Sequence, residues 1–162
     1  MSDLRSFIFL DQLQPQTLAY VASWMRGVLP RRNMAAQIIE VAPGLDIEGL
    51  TDVALKGANV SVGLLVVERQ FGYLEFHSSA TAEVKVGAQA VLDAIGAREE
   101  DASAPQILGS KVVTRVDHQH AFLINRNKLG SMILGGDSLY LLECQPASYA
   151  ILACNEAEKE SN

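Results

Sequence analysis

The chain has 162 residues, 49% of them apolar and 20% charged, a balance that supports a buried core and argues against disorder. Thirteen basic against nineteen acidic side chains give a formal charge of −6, which argues against a nucleic-acid binder tracking phosphates with a basic stripe. No apolar run reaches the ~18 residues of a membrane helix, and Met1-Ser2-Asp3-Leu4-Arg5 lacks the basic-then-apolar layout of a secretion signal. The expectation is a cytoplasmic protein with no nucleic-acid and no membrane partner, built as one ordinary domain or two small ones. Cys144 and Cys154 match no zinc spacing and frame no disulfide scaffold, so both are expected as small buried hydrophobes.

In chain order, Arg5 to Leu10 is β-branched and aromatic enough for a strand. Pro15 opens a helix expected to reach Gly27, with Leu18, Val21, Ala22 and Met25 on one side. Residues 30–33 read as a loop and Ala36 to Val41 as a strand, ended by Pro43-Gly44. Asp46 is a plausible N-cap for a helix to about Ala58, with Leu50, Val53, Ala54 and Gly57 inward. Val60 to Val67 is a nearly continuous apolar run, expected as a central strand. Gln70-Phe71-Gly72 breaks it and Tyr73 to His77 returns, which makes a hairpin. From Thr81 the spacing of Val84, Ala88, Val91, Leu92 and Ile95 predicts a helix. Residues 98–105 are a polar linker.

The remainder starts the same order again: a strand over Lys111–Val116, a short helix around Ala121–Ile124, a strand over Leu139–Glu143 and a helix over Tyr149–Lys159. At an offset of 103 residues Ile38-Ile39-Glu40 meets Leu141-Leu142-Glu143, Pro43 meets Pro146, and the segment 52–59 meets 155–162. Further upstream the offset is read as 106, with Leu10-Asp11 meeting Val116-Asp117. Such self-similarity marks a repeat. The second copy stops where the first continues into its hairpin and last helix, which gives domains over 4–103 and 104–162, the second partial. An open strand edge and an uncovered apolar helix face are expected there.

The stretch Leu50 to Val60, with the strand, glycine-containing loop and helix after it, resembles the bacterial microcompartment shell domain. Four further segments carry the likeness: Arg5 to Gln14, Glu40 to Gly44, Val67 to Gly72, and Leu123 to Arg126. Together with Leu142 to Tyr149 and Asn155 to Lys159, they make nearly the whole chain resemble the tandem-domain, circularly permuted carboxysome shell proteins of the CcmP type. The resemblance implies a ferredoxin-like α/β (α+β) fold, one complete permuted copy plus about half of a second. It implies a homotrimer forming a six-lobed pseudohexamer that tiles with other shell proteins and can stack face to face. It also implies a gated central pore passing phosphorylated sugars of carbon fixation.

The pore residues implied are Glu68 and Arg69, with Gln70, Phe71 and Gly72 completing the loop. Chemically, Glu68 and Arg69 repeated around a threefold axis can interlock, or Arg69 can swing out to offer guanidinium to phosphate. Gly72 is expected to let the hairpin turn tightly. Read without the family, the pair is a solvated hairpin tip. The resemblance places Lys56 and Lys159 at the edge where discs meet; each also suits the C-terminal dipole of its helix. His118 and His120 are expected on one side of a strand, but no third ligand is nearby, so no metal site is expected. Asp46, Glu48 and Asp52 read as a solvated helix face. No nucleotide loop, nucleophile elbow or zincin motif appears, so neither catalysis nor a cofactor is expected. A different class stays open: a ferredoxin-like oligomer that binds a small metabolite as a regulator without a shell role.

Overall fold

The computed structural model describes residues 2–127 and 132–161. The first copy is built as β1 (Asp3–Leu10), α1 (Pro15–Ala22), β2 (Ala35–Ala42), α2 (Asp46–Gly57), β3 (Ser61–Val67), β4 (Gly72–Ser78) and α3 (Thr81–Ile95). A single 3₁₀ turn at Glu99–Asp101 leads to β5 (Gln106–Val113), α4 (His118–Asn127), β6 (Leu139–Gln145) and α5 (Tyr149–Ser161). The first four strands form an antiparallel sheet in the order β1-β2-β4-β3, and β5 and β6 form an antiparallel pair.

Strand β2 is buried almost throughout, because both faces of the four-stranded sheet are covered. On one face Ile39, Val41, Leu74 and Phe76 meet Ile47, Leu50 and Ala54 of α2 and Val84, Ala88 and Val91 of α3. On the other, Ile8, Leu10, Ile38 and Tyr73 meet Val21 of α1, with Ile151 and Leu152 of α5 packed against them. Helix α3 ends at Gly96 in the left-handed region (φ 68), whose N–H and that of Ala97 close the last turn on Asp93 and Leu92.

Several expectations are corrected. Strand β3 is the edge of its sheet, not its centre; Leu65 and Val67 stay exposed. Its free edge is covered by the chain after α1. That helix ends at Ala22 rather than Gly27, and the following segment pairs with β3: the Arg26 and Gly27 amides donate to Gly63 O and the Val28 amide to Val62 O. A side chain at Gly27 would strike Val62 O, so glycine is required for that approach. Asp46 is the first residue of α2, following Leu45 at the cap, and its carboxylate accepts the Ser2 hydroxyl. Within α2, Val53 is half-buried and Gly57 exposed, the inward positions being Ile47, Leu50, Thr51 and Ala54. Cys144 is half-buried and Cys154 exposed, because they lie on β6 and α5, where less of the chain covers them; burial still pushes both thiols up. His118 and His120 lie in the first turn of α4, not on a strand.

The repeat is more regular than the sequence suggests. Strand β5 runs over 106–113, so it matches β1 at an offset of 103, not 106. The register agrees residue by residue: Asp3 opposite Ala42 becomes Gln106 opposite Gln145, and Ser6 opposite Glu40 becomes Gly109 opposite Glu143. Both copies carry a bulge at the same place, between Leu4 and Ser6 and between Ile107 and Gly109. The cis prolines Pro43 and Pro146 and the positive-φ residues Asn33 and Gly136 are likewise 103 apart. Even the bonds fixing the chain before each short helix repeat: Asn33 N–H to Leu13 O becomes Gly136 N–H to Val116 O. Asn162, the last residue of the sequence match, lies outside the described residues.

Candidate functional site

The sequence places the candidate gate at the tip of the β3–β4 hairpin, and the structure makes this a four-residue loop, 68–71, between paired Val67 and Gly72. The Glu68 amide donates to Phe71 O across the loop at 2.9 Å. Glu68, Arg69 and Gln70 are exposed, Phe71 is half-buried and Gly72 is buried. Among the described residues no side chain lies within ion-pair distance of Glu68 or Arg69. The tip therefore presents one exposed acid beside one exposed base.

The base of the hairpin is held rigidly. The turn after Pro43 presses against it so closely that a side chain at Gly44 would meet Glu68 O at 2.3 Å and Phe71 O at 2.4 Å. One at Gly72 would meet Gly44 O at 2.4 Å and Ile47 Cβ at 2.6 Å. Gly72 is thus needed for close approach of two backbones, not for a left-handed turn; its φ is not positive. Phe71 lies under the Arg5 guanidinium, 5.3 Å from carbon to ring centroid. Arg5, turned inward at the β1 bulge, reaches Glu40 Oε1 through Nε at 2.9 Å. Glu40 in turn accepts the Ser148 hydroxyl at 3.1 Å, and Ser148 shares a 2.6 Å bond with Ser6. A polar cavity of about 260 Å³, lined by Asp3, Arg5, Gln106 and Gln145 among others, opens beside this chain of contacts.

Strand β4 also carries a buried pair. The His77 ring nitrogen Nδ1 lies 2.9 Å from Glu75 Oε1, both side chains about 2% exposed. Burial pushes the Glu75 carboxyl up, against the opposing pull of His77 and of the Gly63 and Leu64 peptides. Gly63 makes room for that carboxylate, whose Oε2 would stand 2.4 Å from a side chain there. Burial and the charges of Glu75 and Glu40 together push the neighbouring Tyr73 phenol far above its ordinary range.

The two lysines differ. Lys56 is at the surface and pairs with Asp52 one turn earlier on α2. Lys159 is turned onto the first copy, 2.8 Å from Asp11 and 2.9 Å from Glu156. That hydrogen bond raises the lysine and holds the Asp11 carboxyl below its usual value.

Sequence reasoning missed the residues that join the two copies. Helix α1 has Gln14 at its cap and no side-chain cap of its own. Glu158 of α5 supplies it, accepting the Gln16 and Thr17 amides at 2.8 Å each and the Thr17 hydroxyl at 3.0 Å. Asn155 accepts the Gln14 amide at 3.0 Å and donates to Gln12 O. The sequence offered only a faint signal, the spacing of Asn155 and Glu158 by one turn of α5; the structure shows that both are buried. Among the described residues no group of three metal-ligating side chains is assembled, and no helix is long and apolar enough to cross a membrane.

Residues 4–101 match the family model of the CsoS1D N-terminal domain. The chain is 43% identical over 157 residues to the carboxysome shell protein CcmP of Synechococcus elongatus, covering 97% of this chain and 74% of that one. It is 41% identical over 163 residues to the carboxysome shell protein CsoS1D of Hydrogenovibrio crunogenus, covering 100% and 80%. Among solved structures it resembles the fused permuted hexameric shell protein MSM0275 of the RMM microcompartment, with a TM-score of 0.91, 66% identity, and 97% and 77% of the two chains covered. The double-ringed trimeric shell protein MSM0271 of the same microcompartment gives a TM-score of 0.91 at 42% identity, covering 98% and 77%. With its repeated antiparallel fold and with these likenesses, the chain belongs to the CsoS1D and CcmP family of microcompartment shell proteins.

Proposed function

We propose that three copies of this chain close into a six-lobed ring within a microcompartment shell, and that the 68–72 hairpins gate its central opening. Residues 4–103 are then one shell domain and 104–162 part of a second. The reading rests above all on one contrast: the hairpin base is packed closely at Gly44 and Gly72, while Glu68 and Arg69 at the tip have no ion-pair partner among the described residues. A rigid base with exposed, opposite charges suits a gate that works by rearranging side chains rather than by refolding. Exposed ion pairs are worth about 0–1 kcal/mol each, so three interlocking pairs hold the opening closed by no more than a few kcal/mol. An anion offering bidentate oxygens to Arg69 competes on those terms, and sugar phosphates are such anions.

The same reading makes the protein a structural component, not an enzyme, and its neighbours other shell proteins. On this reading exposed Lys56 serves the contact between rings, and Lys159 would serve it only by leaving Asp11 and Glu156. Rings stacked face to face, as the double-ringed relative is described, would enclose the pore between two gates. The identity of 66% to an RMM shell protein, beside 43% and 41% to carboxysome proteins, supports a shell role of the kind both organelles use.

Electron microscopy of the wild type and of the paired variant Glu68→Ala, Arg69→Ala tests the gate. The ring should survive in both, with the centre closed in at least part of the wild-type population and open throughout in the variant. A variant whose centre closes as before rejects the assignment.

A further inference from the structure

Charge is spread unevenly along the chain. The net charge is −6, yet between Asp11 and Glu40 there is no acidic residue, and three arginines occur there: Arg26, Arg31 and Arg32. All three are exposed, on the segment that leads from α1 to β2. Trp24, Val28 and Leu29 stand among them and are at least half exposed. Among the described residues none of the three guanidinium groups is in an ion pair. Arg26 donates to the Met25 carbonyl at 3.2 Å, and Arg32 faces Glu158, whose carboxylate is already taken up by the Gln16 and Thr17 amides.

The segment is held in one shape. The Arg26, Gly27 and Val28 amides pair with β3, and Pro30 is buried. The Met34 amide closes a turn on Arg31 O at 3.2 Å, and Asn33 is fixed by Leu13 O and by Gln12. A fixed backbone lowers the cost of ordering these side chains on a partner. The fold itself does not require the charges. At the offset of 103 the second copy forms the same turn, with the Asp137 amide on Leu134 O at 3.1 Å and Gly136 in place of Asn33. Leu134 and Gly135 stand there where the first copy has Arg31 and Arg32, so the turn closes without any cation.

We propose that the 24–32 segment is a docking surface for an acidic peptide segment of another protein, one with apolar side chains between its carboxylates. The guanidinium groups take the carboxylates, two hydrogen bonds at a time, and Trp24, Val28 and Leu29 take the apolar side chains. The net charge of −6 disfavours a nucleic-acid backbone. None of the three arginines lines the polar cavity beside Arg5 or the apolar one between Tyr20 and Leu139, so the surface suits an extended chain better than an enclosed small anion. The segment enters β2 at Ala35, whereas the gate hairpin packs just beyond the other end of that eight-residue strand, about 25 Å away. The docking surface is therefore separate from the gate and does not depend on the ring.

Trp24 is the single tryptophan of the chain, so its fluorescence reports on this surface directly. The probe is a short synthetic peptide of glutamates interrupted by leucines, titrated into the wild type and into the double variant Arg31→Gln, Arg32→Gln. A saturable change in Trp24 emission is expected, weakening as salt is raised and weaker by about tenfold or more in the double variant. The control Lys85→Gln, Lys111→Gln removes two exposed cations elsewhere and should bind as the wild type does. No change in wild-type emission, equal binding by the arginine variant, equal weakening in the control, or a glutamine version of the probe bound as tightly overturns the proposal. Tighter binding of a single-stranded oligonucleotide or of phosphatidylglycerol vesicles than of the peptide overturns it in favour of that partner.

Discussion

Replacing Glu158 with alanine removes a cap supplied by one helix to another, and the structure allows its cost to be worked out. Helix α1 has eight residues, too few to persist without outside support. Loss of an N-cap costs about 1 kcal/mol. The Gln16 amide lies at the surface and can turn to water, but Thr17 is 6% exposed and would leave its donors unpaired, adding about 1–2 kcal/mol. The expected loss is about 2–3 kcal/mol, or roughly 5–10 °C in melting temperature for a chain of this size. Burial by itself would raise the Glu158 carboxyl; the Gln16 and Thr17 amides, the Thr17 hydroxyl and Arg32 outweigh it and hold it below its ordinary 4.5. A depressed carboxyl contributes stability that is present above that ordinary value and is lost as pH falls through the folded value. Glu158→Ala should therefore show a smaller stability loss on acidification from neutral pH than the wild type does. Urea unfolding gives the free energy, and hydrogen exchange at the Gln16 and Thr17 amides gives the site. A loss under about 0.5 kcal/mol, within the range of an ordinary surface substitution, with unchanged exchange at those amides, would refute the cap.

The hairpin clamp predicts that Gly72→Ala costs about 1–3 kcal/mol in thermal unfolding, because the added carbon meets Gly44 O and Ile47. Gly49→Ala on α2 is the contrasting control: a side chain there meets nothing within 4 Å, and alanine should stabilise the helix by up to about 1 kcal/mol. His77→Ala should cost about 3–5 kcal/mol by stranding the buried Glu75, and changing both to leucine should recover much of it; a single variant as stable as wild type would deny the pairing. Lys56→Asp should abolish flat layers in electron micrographs without altering the mass of the individual ring, and persistent layers would remove Lys56 from the edge.

Most of the first copy was legible because its elements bury one side and show it in their spacing: Val84, Ala88, Val91 and Leu92 mark α3, and the break at 70–72 marks the hairpin. Strand β3 misled because a continuous apolar run does not reveal whether its edge is paired with another strand or with a loop. Strand β5 misled for the opposite reason. Its true residues include Gly109, Ser110 and Lys111, a weak strand by composition, fixed in register by the bulge and turn it shares with the first copy. The more apolar Val112 to Val116 drew the expectation three residues along. At the candidate site, Glu68 and Arg69 stand out as charges beside an apolar strand, whereas Gly44 and Gly72 show their purpose only when two distant backbones meet. Glu158 and Asn155 fall in a polar helix end; Gln14 shows that α1 lacks a usual cap residue, but one sequence does not show which distant side chain supplies it.

A density map of the assembled protein tests the central claim most directly. The account predicts a threefold ring with the 68–72 hairpins facing the axis and Lys56 on the outer edge. Hairpins on the rim, or a particle with no threefold axis, would contradict it.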